Sequence, residues 1–201
     1  MLTGNEKNFG YATRAINGPR ISGNNEVTMS SIRTHEVRLP GGFLAEKNAV
    51  PMEQKIKWIE TLFTAGLKNI ILADIAGHAH TFQVEKLFTK IRTQAPTIDL
   101  AAHFHNTYDL GLANCFAAMF AGVKYLESDF AGLGGCPFTK LRPGNVSTED
   151  LVHSLQRSGL CKEINLEKLI ELTIDVSRFF DQELPGFVMK SGSIVNFKKK
   201  E

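Results

Sequence analysis

The sequence has few cysteines, little net charge and no long hydrophobic run. Its three cysteines, Cys115, Cys136 and Cys161, form an odd and widely spaced set within 201 residues. Such a set argues against a disulfide framework and predicts a reducing location, which we take to be the cytoplasm. The formal net charge of +2 gives no strong attraction to nucleic acid, so no nucleic-acid partner is expected.

Membrane and secreted classes are also disfavoured. The longest apolar stretch, Leu112 to Val123, contains Asn114 and is too short to span a bilayer. The first residues are polar and lack the apolar core of a secretory signal, so we expect neither export nor a membrane partner. With 43% hydrophobic and 22% charged residues, the composition is that of a folded domain.

Hydrophobic periodicity predicts alternating helices and strands from Pro51 onward. The predicted helices cover residues 51–66, 82–94, 110–120, 147–158 and 165–180, and the predicted strands cover 69–73, 98–102 and 123–126. The last two helices begin at good N-cap residues, Ser147 and Asn165. Strands and helices that alternate through short connections indicate an α/β fold with a parallel sheet.

The beginning of the chain is rich in Asn, Gly, Ser and Pro, and only one strand is predicted there, around Arg33 to Leu39. We therefore divide the chain into an irregular segment (residues 1–40), an α/β domain (residues 41–190) and a basic tail (residues 191–201).

Polar residues follow three of the predicted strands. Asp74 follows the first, His103 and His105 follow the second, and Glu127 with Ser128 follows the third. Because the carboxyl ends of parallel strands line the site in α/β architectures, we expect these side chains at one edge of the sheet.

His103 and His105 are separated by one residue in a strand, so both imidazoles face the same side. Converging histidines are a common arrangement for a divalent metal, and a hydrogen-bonded pair of histidines is the alternative. Asn106 and Asn145 offer amide oxygens nearby. Oxygen donors favour Mg²⁺ or Mn²⁺ over a thiolate-rich zinc site.

A glycine-rich loop, Gly132 to Pro137, carries the single thiol of Cys136. Such a loop can open and close, and a cysteine on it can act as an acid, a base or a nucleophile. A glycine-rich turn with an incidental cysteine is the other interpretation.

Five motifs in order give the chain a family resemblance. They read LADIAG (residues 72–77), HFHNTYDLGLAN (103–114), AGLGGCPF (131–138), GNVSTEDLVHSL (144–155) and ELPGFV (183–188). From about Pro51 to Gly186 the chain resembles the C-terminal half of the 3-hydroxy-3-methylglutaryl-CoA lyase family, a group of metal-dependent TIM-barrel lyases.

The resemblance implies a partial TIM (β/α) barrel, roughly its C-terminal four βα units. It also implies an acyl-CoA substrate, 3-hydroxy-3-methylglutaryl-CoA, cleaved to acetoacetate and acetyl-CoA in leucine degradation and ketone-body metabolism. His103, His105 and Asn145 would be ligands of Mg²⁺ or Mn²⁺, and His103 would also contact the reacting oxygen of the substrate.

Three further roles come from the same resemblance. Cys136 would be the loop thiol that helps to move a proton to the acetyl-CoA enolate. Asp74 would be an active-site carboxylate near the substrate. Glu149 would be a supporting group behind Asn145.

The sequence departs from the family at the first barrel strand. The family's Arg-Asp motif is not found, and the nearest acidic residue after a predicted strand is Glu36. A barrel has eight βα units in typically about 250 residues, whereas about four strands are predicted here. We therefore expect a truncated lyase that is weak or inactive unless a homo-oligomer or a partner chain supplies the other half of the barrel.

Two other functions remain open. A Claisen-type acyl-CoA synthase, of the isopropylmalate or citramalate kind, shares the HxHN stretch, although the Cys136-Pro137 loop is unlike the one in those synthases. A half-barrel remnant that binds a metal or a partner without turnover is the non-enzymatic alternative.

Overall fold

The structure is a computed structural model that describes residues 50–74, 76–134 and 144–195, together with a short strand at residues 35–36. The strands are β1 (His35–Glu36), β2 (Asn69–Asp74), β3 (Asp99–Phe104) and β4 (Tyr125–Glu127). The helices are α1 (Met52–Thr64), α2 (Thr81–Gln94), α3 (Gly111–Phe120), α4 (Thr148–Arg157), α5 (Leu166–Phe179) and α6 (Val188–Ser191). A 3-10 turn, Phe130–Gly132, follows β4.

The described strands form one parallel sheet in the order β1-β2-β3-β4. Chain order and spatial order agree, and helices α1, α2 and α3 connect consecutive strands. This is the parallel α/β arrangement predicted from the alternating pattern. The strand predicted around Arg33 to Leu39 is present as β1, which pairs with the start of β2.

Alternate residues of the strands pack against the helices. Ile70 and Leu72 of β2, with Leu100 and Ala102 of β3, lie in the main core. Helix α2 contributes Val84, Phe88 and Ile91 to the same core, at the i, i+4, i+7 spacing of one helix face. Because strand side chains alternate, the intervening residues, Ala73 and His103 among them, point to the other face of the sheet.

The last part of the described chain is a smaller helical cluster. Val152 of α4, Leu166 and Ile170 of α5, and Val188 of α6 form a second apolar core. The predicted N-caps are confirmed, since the Asn165 side chain accepts a hydrogen bond from Lys168 N at 3.1 Å and Ser147 Oγ accepts one from Asp150 N at 3.4 Å.

Among the described residues, no helix combines the length and the apolar character needed to cross a bilayer.

Candidate active site

Strand β3 carries two histidines at its carboxyl end. The alternation of the strand buries Phe104 in the core and turns His103 and His105 to the opposite side, with their ring centroids 5.2 Å apart. His105 is 7% exposed, whereas His103 is partly open. The predicted convergence of the two imidazoles is therefore present in the fold.

Asn145 joins the histidine pair through the backbone. An antiparallel bridge pairs His105 with Asn145, and Val146 N donates to Phe104 O at 3.2 Å. These contacts bring the Asn145 side chain to His103, where Oδ1 lies 3.1 Å from the imidazole Nε2. Residues 42 positions apart in sequence thus meet at one end of the sheet.

Asp129 lies on the other side of Asn145. One Asp129 carboxylate oxygen accepts a short hydrogen bond from Asn145 Nδ2, and the same amide nitrogen donates to Leu133 O at 3.1 Å. Asp129 was missing from the sequence prediction. Asp129 follows Glu127, the last residue of β4, by two positions. In an extended chain this spacing places both carboxylates on the same side, and it could have identified Asp129 from the sequence.

Glu127 approaches His103 from the sheet. In the parallel register His103 pairs with Glu127, and Glu127 Oε2 lies 3.4 Å from His103 Nδ1. A carboxylate at the second nitrogen favours the orientation in which Nε2 faces away from the strand, toward Asn145. The Glu127 side chain is 39% exposed, so this contact is weaker than a buried one.

Burial sets the protonation of His105. Loss of water around the imidazole, followed by the neighbouring charge of His103, lowers the pKa of His105 to about 4. The ring is therefore neutral near pH 7, which is the form that binds a metal ion.

Burial raises the pKa of Asp129. The His103 charge and the hydrogen bond from Asn145 oppose that rise, and the nearby Glu127 adds to it. The site therefore combines a neutral imidazole with a carboxylate in a partly dehydrated position.

The residues present fit a divalent metal ion. His105 Nδ1 is buried and has no hydrogen-bond partner among the described residues, which is unusual for a polar atom and fits a nitrogen that binds a metal ion. The imidazoles of His103 and His105 and the amide oxygen of Asn145 supply three candidate ligand groups at the carboxyl end of the sheet. No cluster of three or more His, Cys, Asp or Glu side chains arranged for a metal occurs in the described part of the chain, so the amide of Asn145 is needed to complete a set.

Asp74 is not the β2 residue that lies beside His103 in the sheet. It ends β2 and pairs with Phe104, whereas Ala73 pairs with His103. The Asp74 side chain accepts hydrogen bonds from His78 N at 3.1 Å and Ala79 N at 2.9 Å, so it shapes the loop after β2. Its role as a carboxylate near the substrate stays a prediction.

Glu149 is fully buried at the start of α4. Its Oε2 accepts a hydrogen bond from Ala131 N at 2.9 Å, and burial raises the pKa of this carboxyl. Ala131 has a left-handed backbone with φ of 56°. Glu149 thus holds the turn that leads into the glycine-rich loop, and this contact is with the turn backbone, not with the side chain of Asn145.

Of the predicted site residues, the fold brings together His103, His105 and Asn145. Cys136 lies outside the described residues, so its role as the loop thiol stays a prediction. The metal, catalytic and supporting assignments likewise remain predictions, now with a geometry for five of the six residues.

A parallel (β/α) sheet with imidazole, amide and carboxylate groups at the carboxyl ends of its strands is the arrangement of a (β/α)-barrel enzyme. The profile of the HMGL-like family matches residues 27–176. The chain belongs to the HMGL-like family, and its fold is part of a TIM barrel, as predicted.

Two curated relatives and one solved structure illustrate the similarity. The chain is 34% identical over 137 residues to the hydroxymethylglutaryl-CoA lyase of Bacillus subtilis, covering 68% of this chain and 46% of that protein. It is 37% identical over 129 residues to the (R)-citramalyl-CoA lyase of Chloroflexus aurantiacus, covering 64% of this chain and 41% of the relative.

The solved structure is an HMG-CoA lyase from Acinetobacter baumannii in complex with coenzyme A and 3-methylmalate. It matches with a TM-score of 0.66 and 31% identity over 74% of this chain and 48% of that one. The chain thus spans about half the length of the relatives that it matches.

Proposed function

We propose that the chain is a divalent-metal-dependent carbon–carbon lyase that cleaves 3-hydroxy-3-methylglutaryl-CoA to acetoacetate and acetyl-CoA. The observation that carries the proposal is the convergence of His103, His105 and Asn145 at the carboxyl end of the sheet, in a chain of the HMGL-like family. Hydroxymethylglutaryl-CoA lyases are among the proteins to which it is similar, which supports this substrate.

The metal of this proposal is Mg²⁺ or Mn²⁺, held by His103, His105 and Asn145. A divalent ion bound there would act as a Lewis acid on the substrate's oxygens. The low pKa of His105, about 4, keeps that ligand free of a competing proton near neutrality.

The reaction balances without an added reactant. The tertiary hydroxyl loses its proton, the carbon–carbon bond beside it breaks, and the electron pair leaves as the enolate of acetyl-CoA, which then takes up a proton. In this scheme His103 contacts the reacting oxygen, Cys136 delivers the proton to the enolate, and Asp74 lies near the substrate.

The proposal requires further barrel strands. The described sheet has four strands, and an eight-stranded barrel is the architecture that encloses such a site. We propose that a second copy or a partner chain supplies them, and that the isolated monomer is weak or inactive. Light scattering should show an assembly larger than the monomer in every active preparation, and a fully active monomer would contradict this part of the proposal.

The cellular setting also remains a proposal. The described cysteines, Cys115 and Cys161, are free thiols, which supports a reducing, cytoplasmic location. A place in leucine degradation and ketone-body metabolism depends on the proposed substrate.

A second candidate substrate is citramalyl-CoA, because one relative of 37% identity is an (R)-citramalyl-CoA lyase. Both cleavages release acetyl-CoA, and the second product separates them. The test supplies each thioester in turn with Mn²⁺ and identifies the products by mass spectrometry. The proposal is supported if kcat/KM is higher for the release of acetoacetate from 3-hydroxy-3-methylglutaryl-CoA than for the release of pyruvate from citramalyl-CoA. The opposite order would identify citramalyl-CoA as the substrate instead.

The same preparation tests the remaining alternatives. Acetyl-CoA consumption in the presence of a 2-oxo acid, with no cleavage, would indicate a Claisen-type synthase. No turnover in either direction by a folded assembly would leave a non-catalytic binding remnant.

A further inference from the structure

The Asn145 carboxamide has one oxygen and one nitrogen, and only one of its two orientations turns the oxygen toward the histidine pair. In the structure Oδ1 faces His103 Nε2 at 3.1 Å. On the opposite side, Nδ2 donates to the Asp129 carboxylate and to Leu133 O. Both hydrogens of the amide nitrogen are therefore used.

The reversed orientation is unfavourable at Asp129. A half-turn of the amide would place Oδ1 against a carboxylate oxygen and the carbonyl of Leu133. An ionised carboxylate and a backbone carbonyl only accept hydrogen bonds, so neither can pair with Oδ1. The contacts around Nδ2 thus decide which end of the Asn145 side chain reaches His103.

Asp129 is itself held in place by its own backbone. Its N–H donates to Val146 O at 3.1 Å, and its carbonyl accepts from Thr148 N at 2.9 Å. A parallel bridge also joins Asp129 to Ser147. The backbone of Asp129 is therefore bound to residues 146–148, the segment that directly follows Asn145.

We propose that Asp129 is a positioning residue that fixes the orientation of the Asn145 amide and thereby presents Oδ1 to the metal site. The consequence for metal binding rests on the proposed function, whereas the orientation itself does not. The prediction is specific to Asp129, because Leu133 contributes a backbone carbonyl that any side chain at that position retains.

The first test needs no metal. The side-chain NH₂ signals of Asn145 are identified in a ¹⁵N–¹H spectrum of the full chain by their loss in Asn145→Ala. In the wild-type chain we expect a downfield-shifted, slowly exchanging pair. In Asp129→Ala that pair should move to the position of a free amide and exchange rapidly, and Asp129→Asn, which keeps an oxygen acceptor, should restore part of the protection.

The control is Asp175→Asn, which removes a carboxylate from the exposed surface of α5. It should leave the Asn145 signals unchanged. Circular dichroism melting of each variant shows whether it is folded, and Asp129→Leu, which is similar in size and has no hydrogen-bond acceptor, replaces Asp129→Ala if that variant does not fold. An ordinary, rapidly exchanging Asn145 amide in the wild-type chain, or one that is unchanged in a folded Asp129→Ala or Asp129→Leu chain, would overturn the proposal.

The second test measures Mn²⁺ affinity by calorimetry on the same proteins. We expect Kd to rise about 10- to 100-fold in Asp129→Ala, the usual effect of removing a residue that orients a ligand, and less in Asp129→Asn. Unchanged Kd in folded Asp129→Ala would overturn the metal-presenting role. A wild-type chain that binds no Mn²⁺ would instead contradict the metal site of the proposed function, and the amide spectrum would then decide the orientation alone.

Discussion

At the scale of single residues, the site depends on side chains that are buried with incomplete hydrogen bonding. His105 is the clearest example, because its Nδ1 is buried without a hydrogen-bond partner in the part of the chain that the structure describes and its pKa is lowered to about 4 from 6.5. The HxH spacing predicted that the two rings would converge. It did not predict how deeply His105 is buried, because burial depends on the segment around Asn145, 40 residues further along the chain.

The low pKa of His105 predicts a pH-dependent stability in metal-free buffer. An unfolded chain protonates this histidine near pH 6.5, whereas the folded chain does so only near pH 4. Unfolding therefore takes up a proton between these values, so the free energy of unfolding falls as the pH falls through this window, by up to about 3 kcal/mol. Urea unfolding with a chelator present, from pH 7.5 to pH 4.5, measures the slope.

The matched variants are His105→Gln and His78→Gln, the latter at an exposed histidine. His105→Gln should flatten the dependence of the unfolding free energy on pH, and His78→Gln should keep the slope of the wild-type chain. Equal slopes in His105→Gln and the wild-type chain would show that this histidine is not responsible.

Glu149 gives a second prediction at this scale. Its Oε2 accepts from Ala131 N, and both residues are fully buried. Glu149→Ala leaves that N–H unsatisfied and should cost about 1–3 kcal/mol of unfolding free energy. Glu149→Gln keeps an oxygen for the same N–H and carries no charge to desolvate, so it should cost clearly less. Urea denaturation compares the two, and equal losses would mean that the hydrogen bond to Ala131 does not hold the turn.

At the scale of elements, local signals predicted the long segments well. Helices α1 to α5 and strands β2 and β3 lie within two residues of their predicted positions, because each has clear periodicity or a clear cap. Strand β4 begins two residues later than predicted, at Tyr125. The reason is that Val123 N completes the end of α3 by donating to Ala118 O.

Two short elements, the 3-10 turn and α6, had no signal in the sequence. Each depends on a carboxylate of α4. Glu149 accepts from the turn, and Asp150 accepts from Phe187 N and Val188 N at the start of α6. Distant hydrogen bonds of this kind leave no periodic pattern, so sequence analysis could not predict these elements, nor the contact between Asp129 and Asn145.

Arg92 carries a prediction at the scale of elements. Its guanidinium donates to Ile98 O at 2.7 Å, Pro96 O at 3.1 Å and Gly122 O at 2.7 Å, joining α2 to the segments before β3 and β4. A lysine keeps the charge but cannot reach three carbonyls in this geometry. Arg92→Lys should therefore lower the free energy of unfolding by about 1–3 kcal/mol.

The comparison is Arg157→Lys, the same substitution at an exposed position in the last turn of α4. Its effect on the free energy of unfolding should stay within about 0.5 kcal/mol. A similar loss in both variants, measured by urea denaturation, would contradict the special role of Arg92.

At the scale of the whole molecule, the described residues form one side of a barrel with the predicted metal ligands at the carboxyl ends of its strands. The matched relatives are about twice as long as the part they share with this chain. The family and the fold class were predictable from the sequence because five motifs occur in the right order. What completes the barrel was not predictable, because the five motifs that carry the resemblance all belong to its C-terminal half.

The most direct test of the account measures acetyl-CoA release from 3-hydroxy-3-methylglutaryl-CoA by the purified chain in its native assembly. The protein is stripped with a chelator, assayed, reloaded with Mg²⁺ or Mn²⁺ and assayed again, beside His105→Ala treated in the same way. The account predicts activity that disappears on stripping, returns on reloading and is reduced at least 100-fold in the folded His105→Ala variant, because a lost ligand removes the metal's contribution to the reaction. Turnover that survives both metal removal and the loss of His105, or no turnover in any folded and metal-loaded assembly, would contradict it.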